Sequence, residues 1–160
     1  MAVGNEIIAS AEPRGRFIEG IVSGTPKPGT VMQVKSATEM IGGRFTWEVY
    51  DANSDGDQRL IAVLLPDQLQ GKLATAAYVD GDRCFLYCPL PGDELNMRVY
   101  AAGTATSDAL AIAGLLIVDD GTGVLIATSS GEESEPFISL ETVADLVADG
   151  ALVHCMFTGY

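Results

Sequence analysis

Apolar residues in this chain fall in short runs separated by turn residues, and helical spacing is scarce. Val31-Met32-Gln33-Val34 follows the stiff Pro26-Lys27-Pro28 segment and predicts a strand. Phe45-Thr46-Trp47-Glu48-Val49-Tyr50 alternates aromatic or β-branched residues with others, then stops at a run of Asp, Asn and Gly. Residues 60–65 form a continuous apolar run that closes at Pro66. Asp80-Gly81-Asp82 opens a strand over 83–88, which Pro89, Pro91 and Gly92 close, and residues 95–100 alternate again. Residues 115–118 and 124–128 predict a hairpin around Asp119-Asp120-Gly121-Thr122-Gly123, with glycines where positive φ is needed. A last apolar run covers 152–157. Short strands with turns at this spacing predict an all-β fold, a small barrel or sandwich-like domain with at most one or two short helices.

Three stretches depart from that pattern. Residues 66–77 place Leu69, Leu73, Ala76 and Ala77 at helical spacing, but Gly71 sits in the middle and costs about 1 kcal/mol there. Residues 139–149 fit either a helix or a strand ending near Val143 before a turn at Asp149-Gly150, and the strand is expected. Residues 1–20 are small and polar without periodicity until Phe17-Ile18. They are expected to form an extended arm, ordered by packing on something else, ahead of a single β domain over 21–160.

A chain of 160 residues is long enough for one self-sufficient core. The longest apolar stretch, residues 109–118, is ten residues with a glycine inside, too short to span a membrane as a helix. The net charge of −13 argues against nucleic acid, whose phosphates call for basic residues that are mostly missing. The charge is also unevenly spread. Residues 1–44 carry a net +1, residues 45–98 a net −5, and residues 99–160 hold nine acidic residues with no Lys or Arg. A solvated acidic surface explains part of this, and the near-neutral N-terminal portion is free to approach an acidic partner.

Candidate chemistry is thin. Cys84, Cys88 and Cys155 are odd in number, and on a strand the first two lie roughly 13 Å apart, beyond disulfide reach. Buried free thiols in a reducing compartment are expected. His154 and Cys155 are adjacent and point to opposite faces of a strand, which disfavours a zinc site. His154 is the one histidine and reads as a core or interface residue. No nucleophile elbow or phosphate loop occurs, so no catalytic residue and no cofactor are expected. Asp51, Asn53, Asp55, Gly56 and Asp57 match the first half of a calcium loop. The twelfth position, however, is Ala62 where a bidentate Glu is required, so an Asx-rich turn without metal is expected.

Several segments together resemble a known group. Lys27-Pro28-Gly29-Thr30-Val31-Met32 is followed by Leu64-Leu65-Pro66-Asp67-Gln68-Leu69-Gln70-Gly71-Lys72, then by Ala77-Tyr78-Val79-Asp80-Gly81-Asp82-Arg83 and Pro91-Gly92-Asp93-Glu94-Leu95-Asn96. Ile112-Ala113-Gly114-Leu115-Leu116, the turn over 119–124 and Leu140-Glu141 continue the series. In order and spacing this resembles the capsid decoration (cement) proteins of tailed bacteriophages, which coat the major capsid protein after head expansion. The resemblance implies a mostly β fold, no enzymatic activity, assembly as a homotrimer or related cluster, and binding to the major capsid protein. It further implies a place on the outer surface of the virion after synthesis in the host cytoplasm. A receptor- or carbohydrate-binding β domain of a phage tail or surface fibre is the alternative.

Within the arm, Arg14 and Arg16 flank Gly15 just ahead of Phe17-Ile18. Guanidinium groups beside an aromatic anchor suit an acidic neighbour, so Arg14, Arg16, Phe17 and Ile18 are the candidate contacts with the capsid or a neighbouring subunit. The missing carboxylate at Ala62 yields the first prediction: EGTA should leave the melting temperature essentially unchanged. A large downward shift would show that the 51–57 loop holds calcium.

Overall fold

The structure of the protein, a computed structural model, describes residues 7–9, 13–36, 40–51, 57–100, 110–127, 136–144, 146 and 150–159. Among them are eleven strands: β1 (Arg16–Val22), β2 (Val31–Val34), β3 (Met40–Ile41), β4 (Arg44–Val49), β5 (Asp57–Leu64), β6 (Arg83–Cys88), β7 (Glu94–Tyr100), β8 (Leu115–Val118), β9 (Leu125–Ala127), β10 (Phe137–Ser139) and β11 (Ala151–Phe157). The expected all-β class is what the chain adopts. The hairpin of β8 and β9 forms as its glycines require, with Gly121 and Gly123 at φ 77° and 64°.

The strands close into two five-stranded barrels. In the first, hydrogen-bonded neighbours run β1-β6-β5-β2-β4, and β4 returns to pair in parallel with β1, while β3 hangs on β4 as an edge. In the second they run β10-β11-β7-β9-β8, and β8 closes on β10. Closure leaves most strands no free edge through which to aggregate. The first barrel is filled by Val22, Met32, Val34, Trp47, Ala62, Leu64, Cys84 and Leu86, with Tyr78 packed among them. Trp47 fits because β1 presents Gly20 opposite it; a Cβ there would lie 2.4 Å from the indole Cδ1. The Tyr78 hydroxyl donates to the Leu65 carbonyl at 2.8 Å.

The two barrels share apolar surface. Met32 and Val34 point into the first barrel, whereas Val31, Val63 and Tyr87 belong to the cluster that includes Leu95, Met97, Val99, Val153 and Phe157 of the second. All four residues of β2 are therefore buried, which explains why this segment lacks a polar face. Backbone bonds cross the same seam: Arg98 N–H to Gly29 O at 3.1 Å, Val31 N–H to Gly123 O at 2.8 Å and Gly121 N–H to Tyr50 O at 3.0 Å. The Arg98 side chain, 7% exposed, donates to the Pro28 and Gly150 carbonyls at 2.9 Å each and to the Ala74 carbonyl. A cation buried this deeply requires such acceptors on every side.

Asp93 fixes the covalent junction between the barrels. It is 1% exposed and stands just before β7. One carboxylate oxygen accepts from the Tyr87 hydroxyl at 2.7 Å, the Leu90 N–H at 2.8 Å and the Gly15 N–H at 3.1 Å. The other accepts from the Arg14 N–H at 3.1 Å. Burial pushes the acid's pKa up, but the Leu90 amide, the Tyr87 hydroxyl and Arg14 outweigh it and hold the group below the ordinary aspartate value. Burial first, and then the bond to Asp93, push the Tyr87 phenol up to about 12.

Two expectations need correction. An arm reaching residue 20 is not present, because Arg16–Val22 is β1, paired with both β6 and β4, and Ile7 is buried in the shared core. A β domain starting at residue 21 would lack most of that strand. The strand expected to end near Val143 lies earlier, at Phe137–Ser139. There the Ser139 hydroxyl donates to the Glu141 carbonyl at 2.7 Å and turns the chain, leaving Val143 with one isolated bridge to Leu110. The helical spacing over 66–77 yields a single 3-10 turn at Gln68–Gln70, capped by the Asp67 carboxylate and stopped by left-handed Gly71.

Two predictions follow from the seam. Asp93→Asn keeps the shape but sets an amide among donors, and should cost about 3 kcal/mol. Because the folded-state pKa is depressed, the carboxylate's stabilisation is present above about pH 3.9 and is lost as pH falls through the depressed value. Thermal melts should therefore show the mutant and the parent converging toward low pH, and a constant difference would contradict this role. Gly123→Ala would bring a Cβ within 2.3 Å of the Val31 carbonyl oxygen, whereas Gly121→Ala meets nothing within 4 Å. Denaturant titration should show a loss of about 1 kcal/mol for position 121, from φ alone, and about 3 kcal/mol or more for position 123.

Candidate interaction surface

The outer wall of the first barrel carries a face of exposed apolar and charged side chains built by the alternation of β1. Ile18 and Val22 turn inward with Gly20, so Phe17 and Glu19 turn outward. The antiparallel register sets Phe17 opposite Tyr87, Glu19 opposite Phe85 and Ile21 opposite Arg83. The parallel pairing of Ile21 with Thr46 brings Arg44 alongside Glu19 from the other side.

Glu19 Oε2 accepts from Arg44 Nε at 2.9 Å and from Arg83 Nη2 at 3.0 Å. The hydrogen bond from Arg44, and then that from Arg83, hold the Glu19 carboxyl below its usual value. This triad stitches β4, β1 and β6 across the line where the barrel closes. Phe17 is 61% exposed and packs its ring against Tyr87 with centroids 5.2 Å apart. Beside Phe85 a groove of about 550 Å³ is lined by Asp67, Leu69, Gln70, Asp82 and Arg83, and Leu69 at its rim is 98% exposed. On the opposite flank Ile41 is exposed in the hairpin of β3 and β4.

The four residues singled out in the sequence separate into two pairs. Phe17 lies on this face and Arg16 is exposed at the start of β1. Ile18 packs toward the interior of the first barrel, and Arg14 is tied to Asp93 and to the Pro91 carbonyl. Sequence reasoning missed Arg44, Arg83, Phe85 and Leu69. The signal for two of them was available: Cys84 and Leu86 face the core, so Arg83 and Phe85 must face out.

Other candidate chemistry sits apart from this face. His154 projects outward from the second barrel, with Nε2 2.9 Å from Glu94 Oε2, and its backbone amide N–H donates to Glu141 Oε1 at 2.8 Å. Cys155, its neighbour, points into the buried core. All three cysteines are free, and burial raises the thiols, Cys84 to about 12 and Cys88 to about 11. Asp119 serves its own turn, accepting from the hydroxyls of Thr122 at 2.6 Å and of Tyr100. Residues 52–56 of the calcium-like loop lie outside the described residues.

No protein-family model matches the chain, and no curated protein matches it either. Among solved structures, the fold is similar to the crystal structure of head fiber gp8.5 N base in bacteriophage phi29. The TM-score is 0.54 over 90% of this chain and 94% of that one, at 8% sequence identity. The likeness is one of fold, and it runs nearly end to end through both chains.

Proposed function

We propose that the protein is a non-enzymatic structural component of a tailed-phage virion, a decoration protein that binds the lattice of the major capsid protein on the outer head surface and stabilises the expanded shell. The observation that carries this is the near end-to-end likeness to the base of a phage head fibre. The segment resemblance to capsid decoration proteins points the same way. An acidic surface favours a soluble subunit before assembly, and the outer wall of the first barrel offers exposed aromatic side chains for binding. Because that neighbour is the base of a head fiber, a second reading is a receptor- or carbohydrate-binding β domain of a phage tail or surface fibre.

Mixing the purified protein with expanded heads that lack decoration tests both. Saturable, stoichiometric co-sedimentation, with a raised temperature of head disruption, is the expected result. Absence of co-sedimentation together with saturable binding on a glycan array would favour the fibre module instead.

A further inference from the structure

We propose that the groove beside Phe85 is a binding site for a short neutral oligosaccharide, which stacks on the Phe85 ring and is held by Gln70, Asp82 and Arg83. The inference rests on the carbohydrate-binding reading given second above, and adds to it a site and a class of sugar. The groove lies between the 3-10 turn at Gln68–Gln70 and the start of β6. Its volume of about 550 Å³ falls in the usual range for ligand clefts.

Three polar side chains of the groove are fixed by the protein and still keep bonding capacity. Gln70 Nε2 donates to the Arg83 carbonyl at 3.0 Å and to the Asp67 carboxylate. The amide nitrogen must face these two acceptors, so Oε1 keeps no partner among the described residues. Asp82 Oδ2 accepts from the Val79 N–H at 2.9 Å and pairs with Lys72 Nζ at 3.1 Å, while Oδ1 stays unpartnered there. Arg83 gives Nη2 to Glu19 at 3.0 Å, which leaves Nε and Nη1. Acceptors and donors held in place before a ligand arrives suit sugar hydroxyls, each of which both donates and accepts.

Charge and shape select the ligand. Two carboxylates, Asp67 and Asp82, share the lining with the Arg83 guanidinium, and Lys72 neutralises Asp82, so neither sign is in excess for an ionic ligand. Phe85 and Leu69, 38% and 98% exposed, supply the apolar surface that the C–H face of a sugar ring covers. An extended peptide suits the groove less, because the β6 carbonyls that would bind its backbone are taken. The Arg83 carbonyl accepts from Gln70, and the Phe85 carbonyl accepts from the Leu65 N–H at 2.9 Å.

An array of neutral and acidic glycans, followed by calorimetry on the best neutral hit, tests the proposal with the full chain. Saturable binding of neutral glycans is expected. Phe85→Ala and, separately, Arg83→Gln should each weaken it at least about tenfold. Phe17→Ser changes an exposed aromatic of the same wall that does not line the groove, and should leave binding unchanged. Circular dichroism melts check that each variant folds; if one groove variant does not, the other decides. Undiminished binding by the folded groove variants, or an equal loss in Phe17→Ser, would overturn this site and leave the carbohydrate-binding reading standing. No glycan binding at all would overturn both, and binding confined to acidic glycans would overturn the class of sugar.

Discussion

One buried carboxylate organises this molecule. Asp93 stands where the chain leaves the first barrel and enters the second, and its donors come from three places: the start of β1, the end of β6 and the turn between the barrels. An ionised group with almost no solvent contact is tolerated only when its lone pairs are met, and here four donors meet them. Satisfying Asp93 fixes where β1 begins, and that in turn sets which of its residues face out. The outward orientation of Phe17 and Glu19 depends on that register, since a slip of one residue would exchange the two faces of the strand.

Pairing two small barrels solves a packing problem that either would have alone. A five-stranded barrel has a narrow interior, and the first is filled by little more than Trp47, Met32, Tyr78 and a few aliphatic residues. Val31, Val63 and Tyr87 on its outside gain burial only because the second barrel covers them. The seam is held by apolar contact, by backbone hydrogen bonds and by the Arg98 guanidinium, so the barrels behave as one packed unit. The β1–β6 wall beyond Tyr87 stays uncovered, and it is there that the exposed aromatic side chains Phe17 and Phe85 and the ion-paired Arg44, Arg83 and Glu19 collect.

Much of the fold was legible because alternation and turn chemistry agreed. Cys84, Leu86 and their outward neighbours gave β6, and Asp119 through Gly123 gave the hairpin of β8 and β9. The division into two barrels was not legible, since β2 is buried on both sides and its four residues carry no sign of which barrel each one faces. β1 was missed because Gly20 sits at an inward position and Phe17 at an outward one, which inverts the usual pattern; only the bulk of Trp47 explains the glycine. β10 was misplaced because the hydrogen bonding of Ser139 to Glu141 ends it early, a contact that composition does not announce. Of the candidate surface, Arg16 and Phe17 were visible as residues in a segment without periodicity. Arg44 and Leu69 come to the same wall through sheet register and a single 3-10 turn, both set by tertiary structure.

The central claim is that this two-barrel unit seats on the outside of a phage head. Cryo-electron microscopy of expanded, undecorated heads incubated with the protein tests it most directly. The reconstruction should show added density of two small barrels at regular positions on the outer capsid surface. A shell with no added density, at a protein concentration well above that of the lattice sites, would contradict it.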